Sequence, residues 1–166
     1  MSEKIRIATL ADLSSIDYIY NQAIRQKKQT ADTEPMSVEK RNAWFYNHPP
    51  QSYPIYVLTE GSNVIGWSSI SKYREGRASL NSTAEVSYFL TTSHQGKGHG
   101  TALLEFTIQA ARKLGYQNLV AILLSPNERS IGLLQKFQFE EWGRVPKAAK
   151  IDGQYHDHLY LGRCIT

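Results

Sequence analysis

The sequence predicts an α/β (α+β) fold, a central mixed, largely antiparallel sheet flanked by helices on both faces. Three observations carry this. Apolar residues at helical spacing alternate with short β-type runs, in the order β-α-α-β-β-β-α-β-α-β-β. Three strands follow one another in mid-chain, which favours antiparallel pairing, and a strand–helix–strand crossover then favours a parallel pair. No Pro- or Gly-rich linker divides the 166 residues, so residues 1–166 read as one domain.

Each element has a local reason. Ile5–Ala8 alternates as a short strand. Thr9 with Asp12 three residues on is a capping-box variant that starts a helix. Its apolar face is Leu10, Leu13, Ile16, Ile19, Tyr20, Ala23 and Ile24, and the polar stretch 25–34 ends it. Ser37 caps a second helix carrying Trp44 and Phe45, which Pro49-Pro50 stops. Strands 55–60 and 64–71 flank the turn Gly61-Ser-Asn63, and residues 72–82 read as loop. A strand over 83–90 leads to Gly96-Lys-Gly-His-Gly100 and a long helix over 101–114, with Gly115 just past its end. Residues 119–124 are an aliphatic central strand, and Asn127 opens a helix over 128–137. Strands over 140–146 and 154–163 close the chain around the turn Asp152-Gly153.

Composition excludes several classes. Hydrophobic residues at 41% and charged residues at 20% are ordinary for a folded domain. The net charge of +4 admits an anionic ligand, but its cations are too scattered for a nucleic-acid stripe. One cysteine, Cys164, precludes an intrachain disulfide and a multi-cysteine zinc site. His94, His156 and His158 have no partners at metal-ligand spacing, so no metal is expected. The N-terminus lacks a secretory h-region, and the aliphatic run 119–124 is far short of a membrane span. A cytoplasmic protein without membrane or nucleic-acid partners is the expectation.

The most informative segment is Gln95-Gly-Lys-Gly-His-Gly-Thr101, which follows a strand and opens a helix. Alternating glycines turn the backbone tightly and leave its N–H groups uncovered, and the helix N-terminus adds its positive dipole end. The result suits a diphosphate, with Lys97 adding charge. The spacing fits neither a Walker A loop nor a Rossmann fingerprint. A tight strand–helix turn without a ligand accounts for a bare G-x-G-x-G equally well.

Gln95-Gly-Lys-Gly-His-Gly100 resembles the Q/R-x-x-G-x-G/A pyrophosphate loop of the GNAT superfamily of acyl-CoA N-acyltransferases. Asn127, Ser130 and Leu133-Leu-Gln-Lys-Phe-Gln-Phe139 resemble that superfamily's N-x-x-[AS]-x-x-[LF]-Y-x-K-x-G-F segment, and the element order agrees over essentially the whole chain. Ile19-Tyr-Asn21, Thr30–Pro35, Arg41-x-x-Trp44-Phe45, Thr83-Ala-Glu-Val-Ser87 and Glu141-Trp-Gly143 resemble the phosphinothricin and methionine sulfoximine acetyltransferase branch. The resemblance implies the GNAT fold, acetyl-CoA as acyl donor, a small amino acid analogue acetylated on its α-amino group, and a homodimer.

It also implies residue roles. Glu85 is the expected general base, with Thr83, Glu85 and Ser87 on one strand face and Ala84, Val86 and Tyr88 on the other. Tyr88, Phe89 and Leu90 would offer backbone groups to the pantetheine, on a strand that in the family is bulged away from its neighbour. Gln95, Gly96, Lys97, Gly98, His99, Gly100 and Thr101 would hold the pyrophosphate. Asn127 and Ser130 would meet the pantetheine, although Asn127 is an equally good helix cap. Arg74, Arg77, Leu80 and Thr83 are expected around the acceptor, the arginines gripping its carboxylate. Three positions depart from the family pattern. Leu134 stands where many members have a proton-donating tyrosine, Gln138 where a glycine is usual, and His99 where an aliphatic residue is usual. A polyamine or protein-amine acetyltransferase and a non-catalytic acyl-CoA-binding domain are the competing readings. The net basic stretch 72–77 opposes a polyamine, and Glu85 opposes a non-catalytic role.

Overall fold

The computed structural model describes residues 3–166. Seven strands form one sheet in the order β1-β2-β3-β4-β5-β7-β6. They are β1 (Glu3–Ile7), β2 (Ile55–Glu60), β3 (Asn63–Lys72), β4 (Thr83–Leu90), β5 (Asn118–Leu124), β6 (Glu140–Ile151) and β7 (Gln154–Cys164). Among the described residues β4–β5 is the one parallel pair, as the crossover through a helix requires. Four helices interleave in the expected order: α1 (Leu13–Gln26), α2 (Val38–Tyr46), α3 (His99–Lys113) and α4 (Glu128–Lys136).

The two faces carry separate cores because alternate strand residues point opposite ways. On one face Leu13, Ile16 and Ile19 of α1 pack on Ile55, Val57 and Trp67. On the other, Leu104, Ile108 and Ala111 of α3 pack on Ile70, Ala84, Val86, Leu119 and Ala121. Central strands buried on both sides read as near-continuous apolar runs, as β2 and β5 do.

Capping sets where the helices begin. Asp12 accepts a hydrogen bond from the Thr9 backbone N–H at 2.8 Å and ion-pairs with both guanidinium nitrogens of Arg6 at 2.7 and 2.8 Å. The first turn, Leu10–Asp12, is a 3₁₀ turn, and Leu10 is exposed rather than on the buried face expected of it. Ser37 accepts from the Lys40 N–H at 3.3 Å and so caps α2. That helix ends at Tyr46, ahead of Pro49-Pro50.

Two boundaries differ from expectation at irregular backbone. Helix α3 starts at His99, two residues early, because Gly98 at φ +91° serves as its N-cap. Strand β6 continues beyond Pro146 to Ile151. Register shifts within Glu141–Gly143 and Val145–Ala149 let it pass the proline while still pairing with β7.

Candidate active site

Strands β4 and β5 pair through Thr83↔Asn118, Ala84↔Leu119 and Glu85↔Val120, and there the pairing stops. Both strands run on, β4 to Leu90 and β5 to Leu124, so they part like a V with Glu85 at its apex. The β3–β4 ladder continues without a register shift from Lys72↔Ala84 to Gly66↔Leu90. The expected bulge is therefore absent from that ladder, and the separation lies on the β5 side. It leaves the backbone groups of residues 86–90 that face β5 without strand partners.

A cleft of about 770 Å³ opens at the wide end of this V, within the usual range for small-molecule sites. Tyr88, Phe89 and Leu90 form one wall. Gln95, Gly96, Gly98, Gly100 and Thr101 form its end, and Asn127, Ser130 and Leu133 line the α4 side. A smaller cavity of about 50 Å³ continues inward between Val86–Phe89 and Ala121–Leu123, with Ser130 and Leu134 above it.

The glycine loop has the conformation its sequence calls for. Gly96 and Gly98 have φ of +75° and +91°, and nothing lies within 4 Å of where a Cβ would stand. Their conformation requires glycine, and the space beside their backbone is open. Gly100 has a different reason, since a Cβ there would sit 3.3 Å from Leu133. It lets α3 pack closely on α4. Gln95 braces the loop, donating to the Leu90 carbonyl at 3.3 Å and accepting from Arg129 at 3.0 Å.

Two residues expected at the loop's ligand do not line the cleft. The Lys97 side chain is exposed outside it. The His99 imidazole is buried and turned toward β1, with Nδ1 3.2 Å from a Glu3 carboxylate oxygen. Its neighbours Gly98 and Gly100 line the cleft, and His99 does not. The cations that do line the cleft are Lys28, Arg129 and Lys136, none of which was singled out for this role from the sequence. Arg129 and Lys136 are seven residues apart, hence on one face of α4, and that spacing was the available signal.

Asn127 performs both roles the sequence left open. Its Oδ1 accepts from the Ser130 N–H at 3.3 Å, capping α4, and the residue also lines the cleft. Leu134 is buried and lines the inner cavity.

Glu85 is half-buried and lies opposite Ser71 on β3, so the two side chains share the sheet face roofed by α1 and α2. On that face Ser71 Oγ is 2.9 Å from His48 Nε2, and His48 Nδ1 is 2.6 Å from the Trp44 carbonyl. Burial pushes the His48 pKa below its ordinary value, which favours the neutral ring. Glu85 has no such compensation. Burial alone pushes its carboxyl up to about 7.

The expected acceptor residues lie at the other end of β4. Arg74 and Arg77 are exposed on the β3–β4 connection, where Arg77 donates to the Gly76 carbonyl at 3.2 Å. Leu80 is exposed in a 3₁₀ turn over Ala78–Leu80, and Thr83 accepts from Asn118 at 3.4 Å. None of them lines the 770 Å³ cleft. Glu85 lines neither cavity, and along β4 it stands between the cleft-lining residues 88–90 and the arginine-bearing connection. Near the C-terminus, Asp157 is held by Arg144 at 2.7 Å and by the Lys147 N–H at 2.9 Å, which ties down the irregular part of β6.

A glycine loop with open backbone at a helix N-terminus, a slot between parted parallel strands and a carboxyl at its apex that burial pushes up to about 7 suit an acyl-transfer site of the acetyltransferase type. Comparison with known proteins agrees. The family model described as acetyltransferase (GNAT) family matches residues 16–139, and the chain belongs to that family. It is 39% identical to YwnH of Bacillus subtilis, provisionally named a phosphinothricin acetyltransferase, over 96% of this chain and 97% of that protein. It is 33% identical to the L-methionine sulfoximine/L-methionine sulfone acetyltransferase of Pseudomonas aeruginosa, over 97% and 94% of the two chains. A solved structure of a GNAT superfamily phosphinothricin acetyltransferase from Sinorhizobium meliloti, in complex with AcCoA, superimposes with a TM-score of 0.91 at 28% identity, covering 99% of this chain and 89% of that one.

Proposed function

We propose that residues 1–166 form one acetyl-CoA-dependent N-acetyltransferase domain that acetylates the α-amino group of a small amino acid analogue of the phosphinothricin or methionine sulfoximine type. The observation that carries this is Glu85, a half-buried carboxyl at the apex of the β4–β5 separation with its pKa pushed up to about 7. A base poised near neutral pH suits removal of a proton from an ammonium group. The relatives named for this chemistry support the substrate class.

The residues present fit acetyl-CoA. The open backbone at Gly96 and Gly98 and the α3 N-terminus suit its pyrophosphate, with Arg129 and Lys136 adding charge. The β4 backbone beyond Glu85, unpaired toward β5, suits the amides of the pantetheine arm. When bound, acetyl-CoA supplies an activated acetyl group, whose carbonyl carbon forms the new C–N bond as its C–S bond breaks.

The rest falls to the chain. Glu85 takes a proton from the substrate ammonium, directly or through one water, so that the nitrogen lone pair is free. Backbone N–H groups of Tyr88–Leu90 that face the slot can donate to developing negative charge on the acetyl oxygen. Arg74 and Arg77, beyond the other end of β4, are the groups proposed to hold the substrate carboxylate on the Glu85 side. Their net basic surroundings oppose a polycationic acceptor. Thiol release from acetyl-CoA in the presence of L-methionine sulfoximine, with the acetylated product identified by mass, tests the reading.

A further inference from the structure

Leu134 leaves Ser130 as the hydroxyl that α4 brings to the inner cavity, and the opposite wall carries a phenol. Tyr88 lies on β4 beyond the point where the strands part, and it lines both the main cleft and the inner cavity. Its hydroxyl is buried and makes no hydrogen bond. The Ser130 side chain acts to lower the phenol's pKa, but burial outweighs it and pushes the phenol up to about 12. Asn127 Oδ1, on the same wall, is already engaged by the Ser130 N–H. A phenylalanine would fill the same volume without stranding a buried hydroxyl, an arrangement that normally destabilises a fold. The hydroxyl thus lacks a geometric hydrogen-bond partner, on a side chain that lines the space suited to the pantetheine arm.

We propose that the Tyr88 hydroxyl hydrogen-bonds the sulfur of coenzyme A and gives it a proton as the C–S bond breaks, from β4 instead of α4. This rests on the acetyl-transfer reading above. The step balances. The C–N bond forms from the amine lone pair, and the C–S bonding pair leaves on sulfur. The phenolic proton then moves to sulfur, giving free thiol and a phenolate. Of the two protons the ammonium loses, one passes through Glu85 to solvent. The other is matched by the proton that returns from solvent to the phenolate. Burial keeps the phenol protonated beforehand and raises the proton affinity of a thiolate formed beside it.

The test compares calorimetric binding of coenzyme A and desulfo-coenzyme A, which lacks the sulfur. Wild type should bind coenzyme A about tenfold more tightly. In Tyr88→Phe that preference should vanish, with desulfo-coenzyme A binding unchanged. Turnover with acetyl-CoA should fall about a hundredfold in kcat, with little change in its KM. Equal affinity of the two ligands for wild type overturns the proposal even if Tyr88→Phe fails to fold. So does a parallel weakening of both ligands in Tyr88→Phe, which marks Tyr88 as packing, or an unchanged kcat. A sulfur preference that depends on Tyr88 in a protein that acetylates no amine would instead refute the functional reading and leave this contact standing.

Discussion

Glu85 is where chemistry and stability meet. Its neighbours on the strand, Ala84 and Val86, face the α3 core, while Glu85 shares the opposite face with Ser71. With a carboxyl pKa of about 7, only its deprotonated form can act as the base. The pH profile of kcat/KM should therefore rise through pH 7 and level off above it. Glu85→Gln should lose most at low pH, with its rising limb displaced toward the pKa of the amine itself. An unchanged profile would remove Glu85 as the base. The same shift predicts stability. A carboxyl raised in the folded state contributes stability that is fully present below its unfolded value near 4.5 and is lost as pH rises through about 7. Measured against pH by urea unfolding, wild type should lose about 3 kcal/mol relative to Glu85→Gln between pH 4 and 8. Parallel curves would contradict the burial of that charge.

At the scale of the element, the loop between β4 and α3 carries the binding claim. Gly98→Ala forces a side chain onto a φ of +91° without meeting any neighbour. The expected result is a fold weakened by about 1 kcal/mol and coenzyme A affinity reduced about tenfold, read by thermal denaturation and calorimetry. Affinity that stays at the wild-type value would show that the cradle does not hold the pyrophosphate. This loop was legible in the sequence because its alternating glycines stand between a strand and a helix, with Asn127 and Lys136–Phe139 at the family's distance beyond them. The partial β4–β5 pairing was not legible, since nothing in Thr83–Leu90 or Leu119–Leu124 marks the residue at which two parallel strands separate. The early start of α3 was missed for a related reason, in that Gly98 caps the helix by its backbone dihedrals alone.

For the whole molecule, the mixed, largely antiparallel sheet and the helices on both its faces followed from periodicity and element order, because amphipathic segments have few ways to bury one face. The location of charge did not follow. Lys97 is adjacent to the cradle in sequence yet points outside the cleft, whereas Lys28, after α1, and Arg129 and Lys136, on α4, are brought to it by tertiary packing. Cations thus gather at two places, the cleft with Lys28, Arg129 and Lys136 and the β3–β4 connection with Arg74 and Arg77. That layout suits two small anionic ligands meeting at one carboxyl. The most direct test supplies acetyl-CoA and compares thiol release with L-methionine sulfoximine, phosphinothricin, spermidine and a peptide with a free N-terminus. A kcat/KM at least about a hundredfold higher for the two amino acid analogues is the predicted result. Turnover of spermidine or the peptide, with none of either analogue, would contradict it.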